Sequence, residues 1–167
     1  LPPDFNTAFG EVITKLAATG AKLVVANVPD VTAIPFFTPA PAAAGLFGVP
    51  VQLFLLTLGL GPADLLTPDA FPLIAPILLN PNTGPLPSNV VLAAAEILAI
   101  RSATQAYNTI IANQATASGA PVVDLAGLYE TIRARGIVVG GHRLTINFLG
   151  GIFSLDGVHL TNTGYAI

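Results

Sequence analysis

The sequence contains no cysteine, and only 9% of its 167 residues are charged. The absence of cysteine excludes a disulfide framework, thiolate catalysis and cysteine-ligated zinc. An average soluble domain has roughly 25% charged residues, so the surface here must be unusually neutral or partly covered. The six basic residues are scattered and the net charge is −3. We therefore expect no nucleic-acid partner, because no basic footprint for phosphate is present.

The chain also lacks an unbroken apolar run of membrane-spanning length. Its most apolar stretch, residues 46–60, is interrupted by Gly48, Pro50, Gln52 and Gly59. A bilayer requires about 20 predominantly apolar residues in a row. The sequence therefore predicts no transmembrane segment.

The first part of the chain has the pattern of a helix followed by a strand. Apolar residues at helical spacing follow Asp4 and continue to Leu16, and Gly20 is placed to end the element. Residues 22–28 then form a short Val-rich apolar run that Pro29 ends. Such a run is typical of a strand buried on both faces of a parallel sheet.

A second helix and strand are predicted later in the chain. The long helix begins between residues 88 and 93 and ends at Gly119, and a second buried strand covers residues 121–125. A short helix is expected over residues 128–135. This alternation predicts an α/β fold with a parallel sheet and right-handed crossovers.

Residues 36–87 interrupt this alternation as a Pro-rich, apolar insertion. The segment holds most of the 15 prolines and few charges. Its apolar clusters are too long for a plain loop and too interrupted for one helix, which predicts short helices folded back over the domain. Two interpretations stay open: a cap that only packs on the sheet edge, and a lid that shapes an acyl pocket.

The candidate chemistry lies near the end of the sequence, at Asp156 and His159. In a turn that enters a helix, this spacing can bring the carboxylate to one imidazole nitrogen and leave the other free to accept a proton. Gly157 allows a tight turn between the two residues, and Thr161 or Asn162 can cap the next helix. Spacing alone is weak support, because a loop histidine is more often structural.

A resemblance strengthens this interpretation. The block Asp156-Gly-Val-His159-Leu-Thr-Asn-Thr-Gly-Tyr165 resembles the final block of GDSL (SGNH) hydrolases, in which Asp and His lie three apart and Gly-Tyr follows. The order of three further features also resembles that of the family's later elements: the block Ala26-Asn-Val-Pro-Asp30 at the end of the first strand, the helix carrying Tyr107-Asn108, and the strand over residues 121–125.

The resemblance implies a three-layer α/β/α sandwich with a parallel, flavodoxin-like sheet. Residues 1–167 would be the C-terminal part of one such domain, with the apolar insertion at about 36–87. It further implies a serine carboxylic-ester hydrolase that acts through an acyl-enzyme, in which Asp156 orients the base and His159 activates the serine. The apolar insertion favours an ester substrate with a hydrophobic acyl group. For localisation we expect an extracellular or periplasmic protein.

The family's Gly-Asp-Ser block and its oxyanion-hole blocks have no counterpart in this sequence. The serines lack the Gly-x-Ser setting of an exposed nucleophile, and Asn6 and Asn27 lack the context of an oxyanion asparagine. We therefore expect the serine to come from an N-terminal segment or a separate chain. A nicked enzyme, a shortened chain and residues left out of the sequence are three explanations that stay open. The serines weighed here are Ser88, Ser102, Ser118 and Ser154.

No metal or cofactor is expected. His142 has no acidic neighbour, and two histidines without thiolates make a poor metal site, so a loop or strand-edge role is favoured for it. The competing function is a non-catalytic lipid- or protein-binding module with an esterase-like fold. An unrelated α/β domain, in which His159 only caps a helix, would leave the terminal block unexplained.

Overall fold

The computed structural model describes residues 3–167, with side chains from residue 4 onward. The chain divides into two compact units. The first comprises the described part of Leu1–Val31 together with Ile100–Thr145, and the second comprises Thr32–Ala99 together with Ile146–Ile167.

Helices and short strands alternate through the described chain. The helices are α1 (Pro3–Ala17), α2 (Ala40–Leu46), α3 (Val51–Leu58), α4 (Phe71–Leu79), α5 (Ala94–Ser118), α6 (Leu125–Arg135) and α7 (Asn162–Tyr165). The strands are β1 (Val25–Ala26), β2 (Thr38–Pro39), β3 (Leu65–Leu66), β4 (Val91–Leu92), β5 (Val122–Val123), β6 (Ile137–Val139) and β7 (His142–Leu144).

The predicted α/β class and the parallel strand pair are confirmed. In the first unit β1 pairs in parallel with β5, with Val25 opposite Val122 and Ala26 opposite Val123. The Asn108 side chain fixes the chain just after β1, because its amide donates to the Val28 carbonyl and its oxygen accepts the Val28 N–H, both at 2.8 Å. Strands β6 and β7 form a separate antiparallel pair.

The predicted extent and burial of these strands are wrong. Runs over residues 22–28 and 121–125 were expected, but β1 and β5 have two residues each. Val122 and Val123 are exposed rather than buried on both faces. A parallel strand is buried when neighbours flank both edges and helices cover both faces, and each strand of a two-stranded sheet keeps one open edge.

The helix boundaries follow local capping. Helix α1 lies where it is predicted, and Gly119 ends α5 in a left-handed conformation (φ 69°). Helix α5 begins one residue later than the predicted range, since a 3-10 turn and β4 occupy residues 88–92. Helix α6 begins at Leu125 rather than at residue 128, because the Asp124 carboxylate caps it by accepting the Gly127 N–H at 2.9 Å.

The proline-rich segment lies in the second unit and builds a core of its own. Strands β2, β3 and β4 form an antiparallel sheet, and α2, α3 and α4 pack beside one another. Most prolines of these helices stand before or within the first turn, where a missing N–H costs no helical hydrogen bond. Pro76 is the exception, because it lies inside α4 and removes one hydrogen bond from that helix. The largest side chains buried in this core are those of Phe54, Leu58, Leu66 and Ile74. No single helix of the described residues is long and apolar enough to cross a membrane, and α2 and α3 meet the criterion only as a bent pair.

Two leucines of α3 provide a matched test of this core. Leu58 is fully buried, whereas Leu56 is 82% exposed. We expect Leu58→Ala to lower the free energy of unfolding by about 2–5 kcal/mol, because it removes buried methyl groups and leaves a cavity. Leu56→Ala should change it by less than about 0.5 kcal/mol. Urea unfolding followed by circular dichroism measures both, and equal losses would contradict the assigned core.

Candidate functional site

The turn that carries Asp156 and His159 is closed by backbone hydrogen bonds in the second unit. Phe153 and Leu160 face each other as an antiparallel bridge. Inside that bridge the Ser154 N–H donates to the His159 carbonyl at 2.8 Å. Ile152 and Phe153 are buried and anchor the segment that enters the turn. The turn is therefore a loop that is closed by hydrogen bonds and anchored by buried side chains.

Glycine is required at position 157 for two reasons. Its φ of 69° is left-handed, which other residues rarely adopt. A Cβ there would also lie 2.6 Å from the Phe36 nitrogen. The Phe36 N–H donates to the Gly157 carbonyl at 3.0 Å, so the backbones of two distant segments touch at this position.

The structure brings the two predicted site side chains together. His159 Nδ1 lies 2.7 Å from Asp156 Oδ2. The other carboxylate oxygen, Oδ1, accepts the N–H groups of Val158 and His159, each at 2.9 Å. The His159 side chain is 72% exposed and that of Asp156 is 49% exposed. The pair is therefore fixed by the turn while the imidazole stays open to solvent.

Ser154 is a part of the site that the sequence analysis missed. Its hydroxyl donates to Asp156 Oδ1 at 2.6 Å. This bond and the bonds from Val158 N–H and from His159 hold the pKa of Asp156 well below its usual range. A hydroxyl two residues before an Asp in a turn is a local signal for such a bond, but only once the turn is recognised.

These contacts define the tautomer that the site favours. A carboxylate that stays ionised only accepts hydrogen bonds, so Nδ1 of a neutral His159 donates to Asp156 Oδ2. The unprotonated Nε2 is then the proton acceptor and belongs to the exposed ring. This geometry is the one that an Asp–His pair has in a catalytic triad, and the exposed ring can be reached by a hydroxyl from outside the turn.

The residues after His159 secure the turn from the other side. Thr161 caps α7, because its hydroxyl oxygen accepts the Gly164 N–H at 3.0 Å. The same hydroxyl donates to the Gly151 carbonyl at 2.8 Å. Of the two predicted capping residues, the structure assigns this role to Thr161. The Thr161 hydroxyl thereby joins the segment that enters the turn to the helix that follows it.

The remaining candidates lie in structural settings. His142 is exposed in β7, and the described residues contain no group of three or more His, Asp or Glu side chains able to hold a metal. The Asn27 side chain donates to Asp124 at 2.7 Å and accepts the Ala126 N–H at 2.8 Å, so it joins the end of β1 to α6. Asn6 accepts a hydrogen bond from Gln114 at 2.9 Å.

The four serines differ in their surroundings. Ser88 begins a 3-10 turn, and Ser102 and Ser118 belong to α5. The Ser118 hydroxyl bonds to carbonyls of its own helix. The Ser154 hydroxyl donates to the carboxylate of the pair and not to its imidazole, which is the opposite of what a nucleophile requires.

Comparisons of the chain with known protein families, with curated proteins and with solved structures find no match. The geometry of the turn is therefore the main observation from which a function can be inferred.

The Ser154 bond has a measurable consequence. We expect Ser154→Ala to raise the pKa of Asp156 toward its ordinary value, because the largest stabilising hydrogen bond on the ionised form is lost. The carboxylate should then protonate at a higher pH than in the wild type. An NMR titration of the Asp156 side-chain carbon measures this, with Ser102→Ala in α5 as the control. An unchanged titration would show that the hydroxyl does not hold the carboxylate.

Proposed function

We propose that this chain supplies the Asp-His part of the catalytic triad of a serine carboxylic-ester hydrolase of the GDSL (SGNH) type. The observation that carries the proposal is the 2.7 Å contact between His159 Nδ1 and Asp156 Oδ2, in a turn that satisfies the other carboxylate oxygen with three donors. The α/β class with a parallel strand pair is compatible with the three-layer sandwich of that family. The resemblance of residues 156–165 to the family's last block adds to this argument.

Each residue of the pair has a defined part in the reaction. As the serine oxygen attacks the ester carbonyl carbon, His159 Nε2 takes the hydroxyl proton, and the ionised Asp156 stabilises the imidazolium. The tetrahedral intermediate collapses when the carbon–oxygen bond to the alcohol breaks, and the imidazolium returns the proton to that leaving alkoxide. Water then attacks the acyl-enzyme with the same base, which releases the carboxylic acid and restores the serine.

The nucleophile comes from an N-terminal segment or a separate chain in this proposal. Among the described residues, none of the serine hydroxyls has a hydrogen bond to His159, and that of Ser154 is directed to Asp156. The open edges of the β1–β5 pair support additional strands beside it, since an exposed edge is a template for pairing. Such strands could also carry the donors of an oxyanion hole.

The substrate is an ester with a hydrophobic acyl group. The support is the apolar segment of the second unit, which holds only two charged residues, Asp64 and Asp69. Apolar surroundings are what acyl chains require. The alternative is a non-catalytic lipid- or protein-binding module, and one observation favours it: the described serines provide no nucleophile for His159.

Substitutions in the complete enzyme test the assignment. We expect His159→Ala to lower kcat/KM for a short-chain aryl ester by at least about 100-fold, because the general base is lost. Asp156→Asn should lower it substantially without unfolding the protein, since the base loses its orientation and charge. His142→Ala is the matched control and should have little effect. Near-wild-type turnover by the His159→Ala variant would contradict the assignment of His159 as the general base.

Labelling with a fluorophosphonate probe locates the serine. This reagent reacts with an activated serine, and intact mass and gel analysis show which polypeptide carries the label. We expect the label on a segment other than residues 1–167, and we expect His159→Ala to prevent it. A sample that contains only this chain and takes no label would move the binding-module function ahead of catalysis.

A further inference from the structure

The site turn contains the dipeptide Asp156-Gly157, and the sequence has no other Asp-Gly and no Asn-Gly. An Asp-Gly bond is chemically labile, because the peptide nitrogen of the glycine can attack the side-chain carboxyl carbon and close a five-membered succinimide ring. Glycine favours this step, since it has no side chain to obstruct the approach. The acid of the Asp–His pair therefore lies in the dipeptide of this chain that is most prone to the reaction.

Ring closure makes two demands on the dipeptide. The Gly157 nitrogen loses its proton as it bonds to Asp156 Cγ, and the carboxyl group has to be protonated so that its hydroxyl leaves as water. Water then opens the ring at one of its two carbonyl carbons. Opening at Cγ restores aspartate, whereas opening at the main-chain carbonyl gives isoaspartate, in which the main chain runs through Cβ. These steps need no reactant other than water.

The attacking nitrogen is held by a hydrogen bond in the structure. The Gly157 N–H donates to the Ser154 carbonyl at 3.0 Å, so attack requires this bond to break. Gly157 is also buried, and its carbonyl accepts the Phe36 N–H at 3.0 Å. Both peptide groups that flank Gly157 are therefore bonded, which limits the freedom of the backbone to turn the nitrogen toward Asp156 Cγ.

The carboxylate is bonded in the form that does not react. Its oxygen Oδ1 accepts the Ser154 hydroxyl at 2.6 Å and the N–H groups of Val158 and His159, each at 2.9 Å. The Ser154 bond is the largest of the causes that hold the pKa of Asp156 well below its usual range. An ionised carboxylate has no hydroxyl to lose, so these donors oppose ring closure.

Burial does not shield the carboxylate from water, because the Asp156 side chain is 49% exposed. The hydrogen bonds are therefore the main obstacle to the reaction. Ser154 contributes two of them, since its carbonyl accepts the Gly157 N–H and its hydroxyl donates to Asp156 Oδ1. One residue thus restrains both the attacking nitrogen and the carboxyl group that it would attack.

We propose that Asp156-Gly157 is an isomerisation site and that the two hydrogen bonds of Ser154 protect it. When these bonds open, the Gly157 nitrogen attacks Asp156 Cγ and isoaspartate forms. The product carries its carboxylate on Cα and its main chain is longer by one atom, so the 2.7 Å contact to His159 is lost. The proposal concerns the chemical integrity of the turn and does not depend on the esterase proposal.

An incubation experiment with the full chain tests this. The folded wild type, the Ser154→Ala variant and the wild type unfolded in guanidinium chloride are kept at the same mildly acidic pH and then digested with trypsin. Cleavage after Arg143 releases residues 144–167, which contain no further Lys or Arg. Chromatography separates the isoaspartyl peptide, and electron-transfer fragmentation identifies the residue that has changed.

We expect isoaspartate at position 156 to form slowest in the folded wild type and fastest in the unfolded chain. Ser154→Ala should isomerise at least about threefold faster than the folded wild type, because a hydrogen bond to the charged carboxylate is lost. Ser154→Thr keeps a hydroxyl and should stay near the wild-type rate. Circular dichroism checks folding, and Ser154→Cys, whose thiol is a weaker donor, replaces Ser154→Ala if the latter unfolds.

Two further variants separate this effect from others. Ser102→Ala removes a hydroxyl from α5 and should isomerise at the wild-type rate. His159→Ala removes the proposed general base but leaves both groups of Ser154 in place, so it should isomerise more slowly than Ser154→Ala. The measurement follows a covalent change and not turnover, so a chain without esterase activity gives the same answer.

Three results would overturn the proposal. The first is an equal rate in the folded and the unfolded wild type, because the turn would then give no protection. The second is a wild-type rate in a folded Ser154→Ala variant. The third is an equal increase in Ser102→Ala, because the effect would then not come from the bonds to the dipeptide.

Discussion

The ionised carboxylate of Asp156 is the group on which the candidate site depends. One of its oxygens accepts hydrogen bonds from the Ser154 hydroxyl and from the amides of Val158 and His159. The other oxygen is hydrogen-bonded to the imidazole. Four donors on one exposed carboxylate fold the chain back on itself and set the direction of the His159 ring. The same bonds that shape the turn also keep the charge that an imidazolium would need beside it.

This arrangement explains how an exposed pair can be well ordered. Isolated surface ion pairs contribute little, because two long side chains lose freedom to form them. Here the acceptor is a short side chain held by its own backbone, and the turn is anchored by the buried Ile152 and Phe153. The direction of the His159 ring is therefore set by the loop itself. Preorganisation of this type is what the proposed catalysis would require.

Local signals predicted the helices well and the sheet poorly. The apolar period of α1 and the glycine that ends α5 are properties of neighbouring residues, so both could be read directly. The burial of Val122 and Val123 depends on what lies beside the strands, and a run of valines does not contain that information. Helix α6 begins earlier than the sequence pattern predicts, because Asp124, which that pattern places in a strand, caps the helix.

The site shows the same division. The spacing of Asp156 and His159 predicted their approach, but the role of Ser154 depends on a turn conformation that spacing does not fix. Sequence composition indicated an apolar insertion between residues 36 and 87. Composition does not indicate which of its apolar side chains are buried in the core and which leucines are exposed, because this depends on how the helices pack. Catalysis and the source of the serine stay predictions, because they concern groups that the described residues do not bring to the imidazole.

The backbone contact between Phe36 and Gly157 connects the first residue of the insertion to the turn that holds the pair. The donor of this bond is a main-chain N–H, so any residue except proline can form it at position 36. This main-chain hydrogen bond therefore holds the first residue of the insertion against the turn. Any segment that replaces this insertion therefore has to keep a main-chain N–H group at position 36 if the turn is to keep this contact.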